Sequence, residues 1–491
     1  MALYRLRAGL RLERDANGAA QVVDPDLRRV LRLGANDARV VQALQAGATP
    51  AQLAKATRLP PDELAGRLAA LSRLYLLQGK RAQRRIALGA DAAAFAQACK
   101  QSAQTEPILW PPGRDPPRHV CQGTGTCCGA TFLGPLLPGD RVRVEALRFG
   151  TRVREGQTVR LGADPAGDGD GIFEIAQFGG KDHTGMARGD DGRCVAQGDD
   201  SLCDIHREHG ADAKPVACRL FPLRFHRSPL GVHVSLILAC DGYERAREPG
   251  HPWPTREAEV RSLLAEGAPT VRLAAPAEIA VGLPIAAAEF ASLRDHWFAI
   301  EPTLPDGRSW LAGVAAHTAG AATNLADTLA EGPDIPAPAD LGTLARSLRD
   351  PAQAYDADLA EQYAQSLQDR AHDLRRRRQG HDAQRLDDLA AGLRAQLAGR
   401  GFAGEHAVEP LARRHAHDVV ANDLAAYVAI GPIDVGLRAL GRRVMLVEAL
   451  ACALAERAGR RAVTAADTTR ALHVAYRSEP DLAALARCET P

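Results

Sequence analysis

The sequence predicts a mainly α protein with a small α+β, winged-helix-like N-terminal domain and a metal-stabilised cysteine-rich middle domain. Short alternating apolar runs around Asn17-Gly18, followed by capped helical patterns, mark the first 85 residues as α+β. Seven of the ten cysteines fall between positions 121 and 240. From about residue 250 onward, apolar residues recur at helical spacing.

The elements of the N-terminal part follow in order. Leu10–Arg14 and Ala20–Val23 flank Asn17-Gly18, the preferred two-residue hairpin turn. Val30–Leu33 supplies a third strand, and a helix follows over Asp37–Leu44. Thr49-Pro50-Ala51-Gln52 combines an N-cap Thr, a first-turn Pro and a Gln three residues on, which starts the next helix. Pro61 opens a further helix with Leu64, Leu68, Leu71 and Tyr75 on one face, and Leu76-Leu77 is expected to return as a short strand. The paired strands ending in Arg-Val-Leu-Arg-Leu33, the helix to Leu44 and the run Gly47-Ala-Thr-Pro-Ala-Gln-Leu53 resemble the PqqD-like peptide-recognition domains. That resemblance implies capture of a peptide as an added edge strand. A DNA-binding winged helix and a purely structural wing stay open beside it.

Four segments are expected: 1–85 as this module, 86–119 as a helix and Pro-rich linker, 120–245 as a cysteine domain, and 250–491 as a helical domain. Residues 101–119 hold five prolines, which exclude regular helix or strand interior. Residues 163–193, rich in Gly and Asp, read as an inserted solvated loop; Asp164, Asp168 and Asp170-Gly171 fit no register of a calcium-binding EF-hand. In the last segment Leu386, Leu389, Leu393 and Leu397 share a face, and Thr464-Ala-Ala-Asp467 reads as a capping box. Arg375–Arg378 form a basic run before Gly380, at the expected end of a helix, and read as a solvated face. Cys452, between Leu450 and Leu454, reads as a small buried residue; Cys99 and Cys488 carry no signal.

Composition narrows the classes. The chain is 46% hydrophobic and 25% charged, as in soluble globular proteins. A net charge of +1 does not point to nucleic acid as a partner of the whole chain. The charge is uneven: residues 1–85 carry sixteen Lys/Arg against seven Asp/Glu. No signal-peptide run opens the sequence, and Val444–Ala455, interrupted by Glu448, is too short to span a bilayer. A cytoplasmic protein without membrane partners is expected, in a compartment where thiols stay reduced.

The cysteines carry the chemistry. Cys121, Cys127, Cys128, Cys194, Cys203, Cys218 and Cys240 are the candidate metal ligands, because thiolates are preferred ligands of zinc and of iron–sulfur clusters. Four would complete one zinc site or one 4Fe–4S cluster, and seven exceed that. Adjacent Cys127 and Cys128 and the wide spacings fit a polynuclear centre or two neighbouring sites better than a zinc ribbon. Iron–sulfur is the leading expectation; zinc and metal-free thiols remain open. Lys214, Arg219 and Arg224 could offset thiolate charge, and His206 and His209 could serve as ligands or lie exposed.

Cys127-Cys128, Cys203-Asp-Ile205 and Pro215-Val-Ala-Cys218-Arg-Leu-Phe-Pro222 resemble the hallmarks of the bacterial zinc- or iron-chelating cysteine-cluster (YkgJ-type) family. Within it, Leu236-Ile-Leu-Ala-Cys240 and the long helical C-terminal part are most similar to flagellin lysine N-methylases. The basic N-terminal module and the 65-residue gap between Cys128 and Cys194 depart from that pattern. The resemblance implies a protein- or peptide-modifying enzyme that transfers methyl from S-adenosylmethionine to lysine, with flagellin or a precursor peptide as substrate. No strand–Gly-x-Gly-x-x-Gly–helix unit is present, and Gly123-Thr-Gly125 is too short to count. The Cys-x3-Cys-x2-Cys spacing of radical S-adenosylmethionine enzymes is absent as well. The alternative is a non-enzymatic zinc- or iron-binding or electron-transfer module that docks a protein partner; a DNA-binding redox regulator ranks last.

Overall fold

A computed structural model describes residues 3–89, 106–110, 133–147, 172–178, 181–189, 193–228, 230–237, 251–268, 270–272, 277–301, 307–330, 339–349, 380–397, 432–460 and 462–478, with shorter pieces between them that include Gly125 and Cys128. The chain is mostly helical with small sheets. Among the described residues no helix is long and apolar enough to cross a membrane.

The N-terminal module forms as its local signals dictate. Strands Arg11–Arg14, Ala20–Asp24 and Arg29–Arg32 make an antiparallel meander. Helices Ala35–Leu44, Pro50–Thr57 and Pro61–Arg73 follow. The capping box is present: the Gln52 amide donates to Thr49 Oγ1 at 3.3 Å, and the Thr49 amide donates to Gln52 Oε1 at 2.8 Å. Val22, Val40, Leu44, Leu53, Leu64, Leu68 and Leu76 form its core. Leu77 makes a single bridge to Leu6 rather than the expected strand. Too few residues separate the end of Pro61–Arg73 from the next helix, over 80–89, for an extended run to develop.

One carboxylate anchors this module. The Asp24 side chain is fully buried and pairs with Arg7 and, at 3.2 Å, with Arg29. Burial pushes its carboxyl pKa up, but the Arg7 hydrogen bond, the Leu27 amide and the two guanidiniums bring it below the usual value.

The module docks on the rest of the chain through a small hairpin, Glu278–Ala280 with Leu283–Pro284. Tyr75 Oη donates to Glu278 Oε1 at 2.5 Å, and Arg84 Nε donates to the Pro284 carbonyl at 2.9 Å. Gly282, at φ +81°, sits so close that a Cβ there would lie 2.8 Å from Arg73 Cα.

A four-stranded sheet sits at the centre, in the order Thr270–Arg272, Leu223–Ser228, Gly231–Leu236, Ile108–Leu109. The middle pair is an antiparallel hairpin with Leu223 opposite Leu236 and His226 opposite His233. Its Leu223, Phe225, Val232, Val234 and Leu236 enter one hydrophobic core with Phe290, Trp297, Trp310, Leu440, Val444 and Leu472 of the following helices. The cysteine segment and the helical segment therefore share a core.

Two expectations change in detail. The proline-rich stretch supplies a strand, Ile108–Leu109, at the sheet edge, a position that proline tolerates nearby. Within 163–193, strands Phe173–Phe178 and Lys181–Met186 pair as a hairpin, with Phe173 opposite Met186 and both buried. Helix Gly380–Leu397 starts at Gly380, and the exposed, helical Arg375 pairs with Asp387 of it; Arg376–Arg378, where the expected helix end falls, lie outside the described residues. Leu389 and Leu393 are buried and Leu386 packs against the same core, as their spacing requires. The second capping box forms too, with the Thr464 amide donating to Asp467 Oδ2 at 2.9 Å. Cys452 is buried, and burial pushes its thiol up to about 12.

Asp24→Asn should cost about 3 kcal/mol of N-terminal stability in chemical denaturation, since it leaves two cations without their buried counter-charge. The native ion pair contributes fully above about pH 4 and loses its contribution as pH falls through the depressed folded value. Gly282→Val should undock the module, visible in calorimetry as an N-terminal transition that separates from the main one.

Candidate metal centre

The site is assembled from four separated stretches of chain. Cys128, Cys194, Cys203 and Cys218 all pack into one small core with Val144, Met186, Val195 and Ile205. Cys121, Cys127 and Cys240 lie outside the described residues, as do Cys99 and Cys488. The four described cysteines of the core are thiols rather than disulfides.

Backbone bonds bring them together. The Cys128 amide donates to the Gly125 carbonyl at 3.0 Å, and the Cys194 amide donates to the Cys128 carbonyl at 3.1 Å. Gly125, at φ +65°, lies against Ser201 and Gln197, where a Cβ would come within 2.9 Å of the Ser201 carbonyl oxygen. Gln197 bridges Cys203, which caps the short helix Asp204–His209. The Ala196 amide lies 3.4 Å from Cys194 Sγ and donates to it. Cys218 sits in the short helix Val216–Leu220.

Asp140 ties these pieces together. It is fully buried near the start of helix Pro138–Ala146 and accepts from the Leu137 amide at 3.1 Å, the Val216 amide at 3.1 Å and Arg143 at 2.6 Å. It therefore holds the first residue of the Cys218 helix against a second helix.

The electrostatics follow from this crowding. Burial, then the neighbouring Cys194, raises the Cys218 thiol well above the ordinary range, with Cys203 and Asp140 adding and Lys214 opposing. Of the candidate charge partners, Lys214 thus acts on the cluster. Arg219 pairs with Glu266, and Arg224 lies beside His226 in the sheet. His206 and His209 are exposed on their helix. Among the described residues no group of three or more His, Cys, Asp or Glu side chains is arranged to hold a metal ion.

The Ile237 amide donates to the Pro222 carbonyl at 2.7 Å, four residues from Cys218.

Sequence reasoning passed over Asp140, although Pro138-Gly-Asp140 carries a helix-start signal. It passed over the N-terminal groove as well. That groove, of about 830 Å³, runs between Arg5–Leu12 and the helix over 80–89, lined by Arg5, Arg7, Leu10, Val22, Gln83 and Ile86. No protein-family profile, no curated protein and no solved structure matches the chain.

In metal-free protein, Cys218 should alkylate slowly with iodoacetamide at pH 7 and rapidly once denatured, by peptide mass spectrometry. Its neutral thiol adds stability that is fully present below about pH 8.5 and is lost as pH climbs toward the raised folded value, so the melting temperature should fall on the alkaline side.

Proposed function

We propose that the chain is a cysteine-cluster metalloprotein, with iron–sulfur as its metal centre, that modifies a protein or peptide. The supporting observation is the packing of Cys128, Cys194, Cys203 and Cys218, from four stretches of chain, into one small core. Burial keeps the Cys218 thiol protonated, and a bound cation is the chemistry that would favour its thiolate there. The Ala196 amide on Cys194 Sγ matches the backbone donors that tune cluster thiolates. Cys121, Cys127 and Cys240 would complete the donor set, and seven sulfurs exceed the four that one zinc uses.

The groove supports a polymeric partner. Strand Arg11–Arg14 is an edge of the three-stranded sheet and borders the groove, as added-strand recognition of an extended peptide requires. Arg5 and Arg11 favour an acidic segment there. The YkgJ-type resemblance adds methyl transfer to lysine from S-adenosylmethionine, with a precursor peptide or flagellin as the substrate. The bound cluster would supply an electropositive, redox-capable centre; the chain's own part is to hold the thiolates, exclude water through the Val195–Ile205 packing and capture the substrate segment. The groove equally serves a non-enzymatic module, with zinc or iron in a structural or electron-transfer role and a docked protein partner.

Protein purified without oxygen should be brown and contain iron and acid-labile sulfide, both lost in Cys194→Ser and Cys218→Ser. Colourless protein with stoichiometric zinc would favour the docking module. Labelled methyl transfer from S-adenosylmethionine to a lysine-containing peptide tests the enzymatic half, and absence of transfer by the brown protein would remove it.

A further inference from the structure

The central hairpin has a second face. Opposite the apolar residues, Leu223–Ser228 and Gly231–Leu236 present Arg224, His226, Ser228, His233 and Ser235, with Arg224 across from Ser235 and His226 across from His233. A polar sheet face ordinarily meets water. This one does not: His226 is 4% exposed, His233 5% and Ser235 1%. His233 Nε2 and Ser228 Oγ are hydrogen-bonded at 2.7 Å. His226 Nδ1 and Ser235 Oγ are buried with no hydrogen-bond partner. Native structures leave few such groups, and each calls for a physical reason.

Two guanidiniums act on the imidazoles of this face, one of them, Arg294, also 3.7 Å from the exposed Asp295. Arg224 acts on His226, and Arg294, from helix Ala287–Ala299, acts on His233. Burial first, then these guanidiniums, lowers His226 to about 3 and His233 to about 4, so both imidazoles are neutral at pH 7. Two guanidiniums repel a divalent metal, although imidazole alone would suit one. Imidazole N–H, hydroxyl and guanidinium groups together are hydrogen-bond donors around a positive field, which is the complement of an oxyanion.

We propose that Arg224, His226, His233 and Ser235 of this face, with Arg294, bind the oxyanion of a small organic ligand, a carboxylate or a phosphate. The site does not require bound metal, so it can be tested whatever the iron content proves to be. Calorimetric titration of the full chain with inorganic phosphate, acetate, S-adenosylmethionine and 5′-methylthioadenosine, which lacks the aminocarboxylate, identifies the source. Saturable phosphate binding marks a phosphate site; binding of acetate, or of S-adenosylmethionine without 5′-methylthioadenosine, marks a carboxylate site. Arg294→Gln should weaken that binding at least about tenfold, while Arg294→Lys retains most of it. Ser235→Ala removes an unpartnered hydroxyl, so it should leave the melting temperature unchanged or higher while weakening binding roughly three- to tenfold. Absence of saturable binding by all four probes overturns the proposal. So does equal affinity in Ser235→Ala and Arg294→Gln, or cobalt binding that disappears in His226→Gln while no oxyanion binds.

Discussion

The buried carboxylate of Asp140 is the constraint on which the cysteine region depends. It has no contact with water, and one oxygen is shared between the Val216 amide and Arg143 while the other takes the Leu137 amide. A charge in that position is tolerable only with its hydrogen bonds made. The helix carrying it and the helix carrying Cys218 must therefore stay in one relative position. Cys194 and Cys128 are joined by a backbone bond of their own, and Cys203 joins through Gln197. Cys128, Cys194, Cys203 and Cys218 thus share one small core with Val195 and Ile205, and main-chain bonds hold the first three.

The central hairpin joins this region to the helical one. One face belongs to the same apolar core as Phe290, Trp297 and Trp310; the two indoles donate to Thr318 Oγ1 and to the Trp297 carbonyl at 3.1 and 2.7 Å. Its other face is polar and equally shielded. The outer ends of its two strands lie side by side, since Leu223 faces Leu236. A two-residue side-chain period is what lets one strand serve an apolar core and a polar surface at once.

Much of the architecture was legible in the sequence where signals are local. The Thr49 and Thr464 capping boxes and the Leu389/Leu393 face each depend on residues within a turn or two of one another, and each forms. The hairpin at Asn17-Gly18 also forms, but through a longer loop, Asp15–Ala19, with Gly18 at positive φ, instead of the expected two-residue turn. The misreadings share a cause. Ile108–Leu109 is a strand only because the Gly231–Leu236 strand offers it partners, and no window around its prolines contains that information. Phe173–Phe178 was masked by the Gly and Asp residues on its flanks, although its own alternation was visible. For the candidate site, the grouping of four cysteines agrees with their clustering in the chain, whereas Asp140 and the His226–His233 pair draw their significance from burial. Burial of a polar residue in a strand with an otherwise ordinary pattern leaves no trace in that pattern.

The docking of the N-terminal module on the 278–284 hairpin has a geometric corollary. Arg84, on the helix that walls the groove, is tied to Pro284 and Glu289 of the main body. A groove so moored cannot swing on a tether. If the groove takes the proposed peptide, that chain would leave at a constant bearing and meet the body after a set length, so the number of residues between the gripped stretch and the reached one would act as a ruler built into the fold.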